Sequence, residues 1–468
     1  MEVGPNANLF AYVAMFGWPA VCLVLFIALP IEIAAIASML GGYLLLPSSL
    51  HVTVPFFPPL DKMMIASIST FLLCWMKGTQ AKTHRPPILI YVFAAGFVLS
   101  PVFTSFGNSY ELPTAAGSIP GFYPIDGLKI AFRQAVTLLP MFVGVRFLSN
   151  DHGRLLLLKS LPIAFLFYSL PMLFEIRMSP QLHTWVYGYF PHQFAQMMRA
   201  GGFRPVVFLS HGLELAILTS LALLAAIVLA RQKARILYIP AAAVAGYLAV
   251  LLVLCKTLGA AIYAVVLTPV ILFTRPRTWG RIACGFILIV AFYPTLRGSG
   301  LVPVEHIAAA ANAISNDRAD SFQVRLNNEY QLLAKANQKP LFGWGTWGRN
   351  RVYDRDTGKD LSITDGQWII QFGMYGWFGY LSLFGLLAMA AFSSLRGLGN
   401  DVTRASLTLG GLTLLLAVYV VNMVPNSSEM SLTVLLAGSV AASARVRVRR
   451  PAAVRTKTGS AAPVPSTS

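Results

Sequence analysis

Long runs of apolar residues recur along most of the chain and are separated by short polar segments. About 20 apolar residues in helical form cross a bilayer core, and such a helix satisfies its own backbone hydrogen bonds. The pattern predicts thirteen candidate spans; the first two are separated only by Pro30, as in a bent hairpin, and the last is short, so twelve spans is the equal alternative. The predicted spans are Phe10–Leu29, Ile31–Leu46, Met63–Met76, Pro87–Phe106, Leu128–Leu148, Leu155–Phe174, Val206–Ala230, Ile236–Leu254, Leu258–Phe273, Ile282–Tyr293, Trp368–Phe392, Ser406–Val424 and Met430–Ala442.

The predicted fold is therefore all-α, a polytopic transmembrane helical bundle with one large, partly helical loop. Residues 1–296 hold the first ten spans, 297–367 form the loop, and 368–444 hold the last spans. Residues 445–468 form a basic tail that ends in Pro, Ser and Ala residues, a composition typical of disorder.

Composition supports a membrane protein, because 56% of the 468 residues are hydrophobic and only 12% are charged. Soluble proteins carry about 25% charged residues. The four cysteines lie within or at the ends of apolar runs, and no metal-ligand spacing is present, so we expect neither a disulfide framework nor a metal site.

Lysine and arginine residues concentrate in alternate short loops, which the positive-inside tendency assigns to the cytoplasm. The long loop then faces the opposite side, and the tail is cytoplasmic. The net charge of +18 reflects this orientation and does not indicate nucleic-acid binding. The residues concerned are Lys77, Lys82, Arg85, Arg146, Arg154, Arg231, Lys233, Arg235, Arg275, Arg277, Arg281, Arg396, Arg404 and those of the tail.

Other basic residues lie on the non-cytoplasmic side, close to predicted span ends. Arg177 and Arg204 flank one outer loop, and Lys256 sits in the tight turn between two spans. Charge near hydrocarbon costs about 2.5–3.5 kcal/mol at mid-depth, and an anionic ligand at the membrane edge would explain these positions. Arginine suits phosphate, because its planar fork donates two hydrogen bonds at once. In the alternative, the side chains reach lipid headgroups or pair with nearby acidic residues.

The long loop is expected to be folded. Ser321–Ala336 has helical periodicity, and Arg325 and Glu329 lie four residues apart on it, as in a stabilising ion pair. The predicted apolar face consists of Phe322, Leu326, Tyr330 and Leu333.

Mixed charges and aromatic rings in the long loop favour a carbohydrate surface, because rings stack on sugars and polar groups bind hydroxyls. The candidate glycan contacts are Arg325, Trp344, Trp347 and Arg349. An ordinary solvated loop with interfacial aromatic residues is the alternative. Gly343–Gly348 matches G-x-G-x-x-G, but no strand precedes it, so we reject a dinucleotide site and expect a tight turn with exposed rings.

Two further positions carry candidate chemistry. His211 and Glu214 lie one turn apart in the seventh predicted span, where an ionisable pair indicates either a proton relay or a neutral structural pair. Asp365 lies just before the eleventh span and could act as a helix N-cap, as a base, or as both.

Two stretches carry a resemblance to a known family. Pro340–Gly345 (PLFGWG) follows the loop helix, and Phe372–Gly376 (FGMYG) lies in the span that opens at Trp368. With the span count, the basic loops and the large late loop, they resemble the O-antigen ligase and polysaccharide polymerase superfamily of bacterial inner-membrane proteins. The likeness is motif-like from Arg325 to Gly376 and diffuse over Phe10–Ala442.

The resemblance implies a glycosyltransferase that uses no metal or other cofactor, with its large loop in the periplasm and its C-terminus in the cytoplasm. Its partners would be an undecaprenyl-diphosphate-linked oligosaccharide, an acceptor glycan and, as a further option, a polysaccharide export complex. Arg204 matches one diphosphate-binding arginine of the family, and Lys256 stands where a second arginine is usual. A ligase typically has a histidine before the span after the loop, and this chain has Asp365 nearest that position.

The resulting hypothesis has Arg204, Lys256 and Arg177 stabilise the diphosphate leaving group while a carboxylate accepts the proton of the acceptor hydroxyl. Asp365 is the first candidate for this base and Glu214 the second. The missing histidine favours a polymerase of surface or exopolysaccharide repeat units over a ligase that transfers glycan to lipid A–core. A polysaccharide or lipid-carrier transporter, or a non-catalytic assembly partner, remains an alternative.

Overall fold

The computed structural model of the chain describes residues 6–54, 57–78, 85–199, 201–303, 316–427 and 429–443. The predicted tail at 445–468 and Lys82 lie outside these residues. The helices are α1 (Leu9–Ala28), α2 (Ile31–Leu45), α3 (Lys62–Lys77), α4 (Ile88–Phe106), α5 (Pro124–Phe147), α6 (Asp151–Met178), α7 (Leu182–Tyr187), α8 (Gly212–Arg231), α9 (Ala241–Leu254), α10 (Leu258–Phe273), α11 (Pro276–Ala291), α12 (Tyr293–Gly298), α13 (Asn316–Ala336), α14 (Gln367–Ser394), α15 (Arg404–Asn422) and α16 (Ser431–Ala441).

The few strands form short antiparallel hairpins between helices. They are β1 (Leu112–Thr114) with β2 (Gly117–Ile119), β3 (Met198–Arg199) with β4 (Gly202–Phe203), and β5 (Arg235–Ile236) with β6 (Ile239–Pro240). A short 3-10 helix, Phe194–Met197, precedes β3. The predicted all-α polytopic bundle is confirmed.

Each predicted span coincides with one helix of the bundle. Among the described residues, seven helices are long and apolar enough to cross a membrane: α1, α4, α5, α6, α8, α14 and α15. The other helices that match predicted spans (α2, α3, α9, α10, α11 and α16) run from 11 to 16 residues, which is short for a hydrocarbon core about 30 Å thick. The number of crossings therefore stays a prediction.

The centre of the bundle is occupied by α8 and α15, which are buried on most sides, whereas α1 exposes a largely apolar surface. An apolar exposed surface on a helix of this length is what a lipid environment requires. Helix α8, one of these two enclosed helices, directly follows the segment that carries Arg204.

Helix ends gather at two opposite ends of the bundle. At one, which we call the basic end, cationic side chains donate to carbonyl groups at the C-termini of neighbouring helices, where the helix dipole favours positive charge. Arg154 donates to the carbonyls of Ser439 (2.9 Å) and Ala442 (3.2 Å), and Arg231 donates to that of Thr274. The predicted clustering of basic loops on one side agrees with this arrangement.

The opposite end, which we call the loop end, carries residues 46–54, 57–61, 107–123, 179–199, 201–211, 292–303 and 316–366. Residues 107–123 and 337–366 pack on each other there. Lys339 donates to the carbonyl of Gly107 (2.7 Å) and to the side chain of Asn108 (2.8 Å), and Asn108 in turn donates to the carbonyl of Gly343 (3.0 Å). The described part of the long loop is therefore folded, as expected.

The two stretches that carry the family resemblance bind each other. Helix α14 is broken at Gly376, which has φ +60° and ψ −163°, so backbone groups on both sides of the break lack helical partners. Residues 340–345 supply these partners. The backbone N–H of Trp344 donates to the carbonyl of Gly373 (2.9 Å), and the backbone N–H of Trp377 donates to the carbonyl of Pro340 (2.7 Å). The loop thus completes the hydrogen bonding of a membrane helix.

Loop helix α13 begins earlier than predicted, and two predictions for its side chains are wrong: the burial of Tyr330 and the ion pair between Arg325 and Glu329. Leu326 and Leu333 are buried as expected, but Tyr330 is 70% exposed. Glu329 lies on the buried face, 3.6 Å from Arg297, and Arg325 pairs elsewhere. The predicted Arg325–Glu329 pair is lost because each side chain meets an oppositely charged group on another segment.

Candidate functional site

The segment between β4 and α8 carries Arg204 and is held by buried polar side chains. Glu175, at the end of α6, accepts hydrogen bonds from the backbone N–H groups of Val206 (2.7 Å), Val207 (2.8 Å) and Leu182 (3.0 Å). Its side chain is fully buried, so these donors replace the water that its charge would otherwise bind. Tyr168 accepts a further bond from the N–H of Phe208 (3.1 Å).

Arg204 and Lys256 are brought together at the loop end, and their role in binding a diphosphate stays a prediction. Arg204 Nη2 donates to the carbonyl of Lys256 (3.2 Å), and Lys256 Nζ donates to the carbonyl of Arg199 (3.2 Å). Lys256 occupies the turn between α9 and α10 with φ +50°. The two predicted cations and Arg199 therefore share one small region next to the ends of membrane helices.

His211 lies at the centre of this positive region. It is the N-cap of α8, and its Nδ1 accepts the N–H of Leu213 (2.9 Å), so Nε2 carries the proton and faces the side-chain oxygen of Gln196 (3.2 Å). Burial, the neighbouring His192 and the guanidinium groups nearby lower the pKa of His211 to about 4. The side chain is therefore neutral at pH 7.

The predicted His211–Glu214 relay is wrong, because the two side chains have separate partners. Glu214 accepts hydrogen bonds from the hydroxyl of Tyr43 and from the backbone N–H and hydroxyl of Ser210. His211 lies at the helix start, not at depth. Glu214 thus accepts three hydrogen bonds, and both oxygens of its carboxylate are occupied within the protein.

Asp365 forms an ion pair with Arg325, with 3.0 Å between Arg325 Nε and the carboxylate oxygen. The capping interpretation of Asp365 is wrong, since Gly366 is the N-cap of α14 and no side chain caps it. The charge of Arg325 also lowers the pKa of His211. Arg325 therefore connects Asp365 to the region of Arg204.

A second ionic contact joins α13 to α12, and a hydrogen bond from the same carboxylate joins α13 to α14. Glu329 lies 3.6 Å from Arg297 and accepts a hydrogen bond from Nε1 of Trp368 (3.4 Å). Burial raises the pKa of the Glu329 carboxyl, against the opposing effects of Trp368 and Arg297. This contact sets the position of Arg325 one helical turn away.

Two candidate glycan residues are buried, and the expectation of exposed rings is wrong for Trp344. Its ring lies beneath Lys335 Nζ, 3.7 Å from the ring centroid, and is 7% exposed. Arg349 is fully buried and donates to the carbonyls of Tyr110 (2.9 Å) and Pro120 (2.8 Å). Arg349 therefore ties the long loop to residues 107–123 through its guanidinium group, whereas Trp344 packs against cationic side chains of the long loop itself.

Trp347, by contrast, is 50% exposed and contacts the ring of Phe122 edge-on. Arg177 lies exposed in the last turn of α6. The assigned roles of these two residues in glycan and diphosphate binding stay predictions.

A polar cavity near Glu214 was missed by the sequence reasoning. Its lining includes Asp61, Lys62, Arg133, Glu214 and Glu429. Lys62 Nζ donates to the carbonyl of Tyr43 (2.9 Å) and the hydroxyl of Ser48 (2.7 Å). The available signal was the presence of charged residues just before predicted spans, at Asp61–Lys62 and at Glu429.

Comparison of the chain with protein-family models, with characterised proteins and with solved structures found no significant match. The resemblance to O-antigen ligases and polysaccharide polymerases therefore stays a prediction.

Proposed function

We propose that this chain is a membrane glycosyltransferase that polymerises surface or exopolysaccharide repeat units from an undecaprenyl-diphosphate-linked donor. The observation that supports it most is the contact between Arg204 and Lys256 at the loop end, with Arg199 joined to Lys256. Cationic side chains at helix ends next to hydrocarbon suit a lipid-linked diphosphate, whose charged group lies at the membrane surface while its tail lies in lipid.

The proposed role of the cations is to stabilise the negative charge of the leaving group. As the bond between sugar and diphosphate breaks, negative charge grows on the leaving oxygen, and Arg204 and Lys256 would stabilise it. Lys256 gives one point charge where an arginine would give a fork, so Arg204 would supply the directional contact. Arg177 would act at the edge of the same anion.

The acceptor hydroxyl must lose its proton to a base. Of the two predicted carboxylates, Asp365 is the better supported, because Glu214 is engaged by three donors. The ion pair with Arg325 would hold the Asp365 carboxylate in place near the cationic region. In this proposal the loop helix is a part of the reaction site, and the loop lies in the periplasm above an inner-membrane bundle.

A transporter is favoured by one observation, the break in α14 at Gly376, because broken helices commonly form ion sites in transporters. The freed backbone groups, however, are occupied by residues 340–345 of the loop. A break that is filled by protein needs no ion, so glycosyl transfer is the better supported function.

The test is an extension assay with purified protein and a polyprenyl-diphosphate oligosaccharide, read as a ladder of longer glycans by gel and mass spectrometry. Arg204→Ala should reduce turnover by about 100-fold or more, the usual effect of removing one stabilising donor. Arg277→Ala, a cation at the basic end that approaches Asn400, is the matched control and should keep wild-type turnover.

Other products discriminate the alternatives. Transfer to an added lipid A–core acceptor without chain extension would assign a ligase. Solute uptake into proteoliposomes without any glycosyl transfer would overturn the proposal in favour of a transporter.

A further inference from the structure

The cavity next to Glu214 has a volume of about 270 Å³ and has no assigned role in the proposed mechanism. It lies between the loop-end termini of α2, α3, α5 and α8 and the segment that precedes α16. Pockets for drug-sized ligands begin at about 300 Å³. The cavity therefore suits a smaller group, of the size of one sugar ring.

The charges around the cavity are mixed. Lys62 and Arg133 are cationic, whereas Asp61, Glu214 and Glu429 are acidic. An inorganic anion would meet the carboxylates, and a metal cation would meet the ammonium and guanidinium groups. A neutral polyol suits both, because each hydroxyl can donate to a carboxylate and accept from a cation.

Most of these charged groups form hydrogen bonds or ion pairs within the protein, but one oxygen of Glu429 does not. Arg133 pairs with Asp61 at 2.9 Å, and Lys62 donates to carbonyl and hydroxyl oxygens. Glu429 Oε1 accepts from the N–H of Met430 and the hydroxyl of Ser431, both at 3.1 Å. In the described part of the chain, no hydrogen bond reaches Oε2 of Glu429, so this oxygen is available to a ligand.

The cavity adjoins both parts of the proposed reaction site. One wall is Ser210 and Glu214, which follow the segment that carries Arg204. The other wall is formed by Ser427 and Glu429. Their segment is bound to the start of α14, because the backbone N–H of Gln367 donates to the carbonyl of Asn426 (3.2 Å). A sugar in the cavity would therefore lie between the cationic region and the segment of Asp365.

We propose that this cavity binds one neutral sugar ring of the glycan substrate, with Glu429 accepting hydrogen bonds from the ring hydroxyls. This inference rests on the proposed function and names a binding subsite for it. The ring can belong to the donor oligosaccharide or to the acceptor glycan, and the experiment below distinguishes the two.

The subsite should depend on pH. Burial and the carboxylates of Asp61 and Glu214 raise the pKa of Glu429 to about 7, opposed by Lys62. Arg133 and His51 also line the cavity. Since the ionised carboxylate is the stronger acceptor, KM for the bound substrate should rise as the pH falls below about 7.

The experiment measures KM for donor and for acceptor glycan separately, from pH 6 to pH 8, in the full chain. Glu429→Gln should raise one of the two KM values about tenfold or more, the effect of losing a hydrogen bond to a charged group, and should remove its pH dependence. The substrate whose KM changes is the one that the cavity holds.

Ser427→Phe provides a second test, because Ser427 is exposed and lines the cavity, so a larger side chain fills the space without disturbing the core. It should raise the same KM and leave the turnover number largely unchanged. Asp401→Asn, an exposed carboxylate at the basic end, is the control and should behave as the wild type.

Two results would overturn the inference: one removes only the subsite, and the other removes the proposed function as well. Chain extension with wild-type KM values and wild-type pH dependence in both cavity variants would remove the subsite and leave the proposed function intact. Absence of any product from the wild type would overturn the proposed function, and the subsite with it.

Discussion

The guanidinium group of Arg325 lies 3.0 Å from the carboxylate of Asp365, and this ion pair joins the loop helix α13 to the start of α14. The two residues are forty positions apart in the chain. Each was a separate candidate in the sequence, one for glycan binding and one for the base. Their contact makes the position of the loop helix a determinant of the proposed chemistry.

If Asp365 is the base, Asp365→Asn should lower turnover by about 100-fold or more in the extension assay, the lower range for loss of a general base. Arg325→Gln should cause a smaller loss, because the carboxylate remains but loses its orientation.

The matched control is Arg351→Gln, which breaks another exposed ion pair of the loop, Arg351–Asp360 at 2.7 Å. It should leave turnover unchanged. Wild-type turnover in Asp365→Asn would exclude Asp365 as the base.

Gly343→Ala should destabilise the fold through the break in α14. Gly343 has φ +70°, and a Cβ there would lie 2.5 Å from the backbone of Met374. The left-handed conformation and the overlap together should cost about 2–5 kcal/mol. Thermal unfolding in detergent, followed by intrinsic fluorescence, measures the loss.

Gly285→Ala in α11 is the control for this substitution, because a Cβ at Gly285 meets no atom within 4 Å. Alanine there should keep or slightly raise the stability. Equal unfolding temperatures for the two variants would contradict the tight packing of the loop on α14.

Glu175→Gln should destabilise the conformation of the segment that carries Arg204. A neutral amide cannot replace a carboxylate that accepts three backbone N–H groups, so at least one buried donor loses its partner. We expect a loss of stability of about 1–3 kcal/mol and a higher KM for the lipid-linked donor. Glu111→Gln, an exposed carboxylate at the same end, should change neither quantity.

The stability of the protein should fall as the pH falls below the ordinary pKa of histidine. Burial, the first cause at both positions, lowers the pKa of His183 and of His211 to about 4. The unfolded chain takes up protons near pH 6.5, so unfolding is favoured between about pH 6.5 and pH 4.

Chemical unfolding at a series of pH values tests this dependence. His211→Asn, which keeps a capping side chain, should reduce the slope, whereas His152→Gln should not, because His152 is exposed at the basic end. A slope that is identical in wild type and His211→Asn would show that His211 does not contribute.

Much of the fold could be predicted because most helices of the bundle coincide with a continuous run of apolar residues, which can be read from the sequence. A run such as Leu258–Phe273 is apolar from end to end, and the structure places a helix over those residues. The gathering of Arg204 and Lys256 was also predictable, since both flank spans on the same side. Boundaries were less accurate where polar residues extend a helix, as in α5, which begins at Pro124.

Partners of charged side chains could not be predicted in the same way. Arg325 was expected to pair with Glu329, four residues away, but pairs with Asp365. The burial of Arg349 also depends on how residues 107–123 meet the long loop. Such contacts depend on which segments meet in space, and one sequence does not specify that.

The sequence alone is enough to identify a helical membrane protein with its basic loops on one side, because apolar length and charge act locally on each span. Which charges meet depends on how the helices pack in three dimensions. Lys62, Glu214 and Glu429 come from three distant segments, and they share one cavity only because α3, α8 and α16 begin side by side.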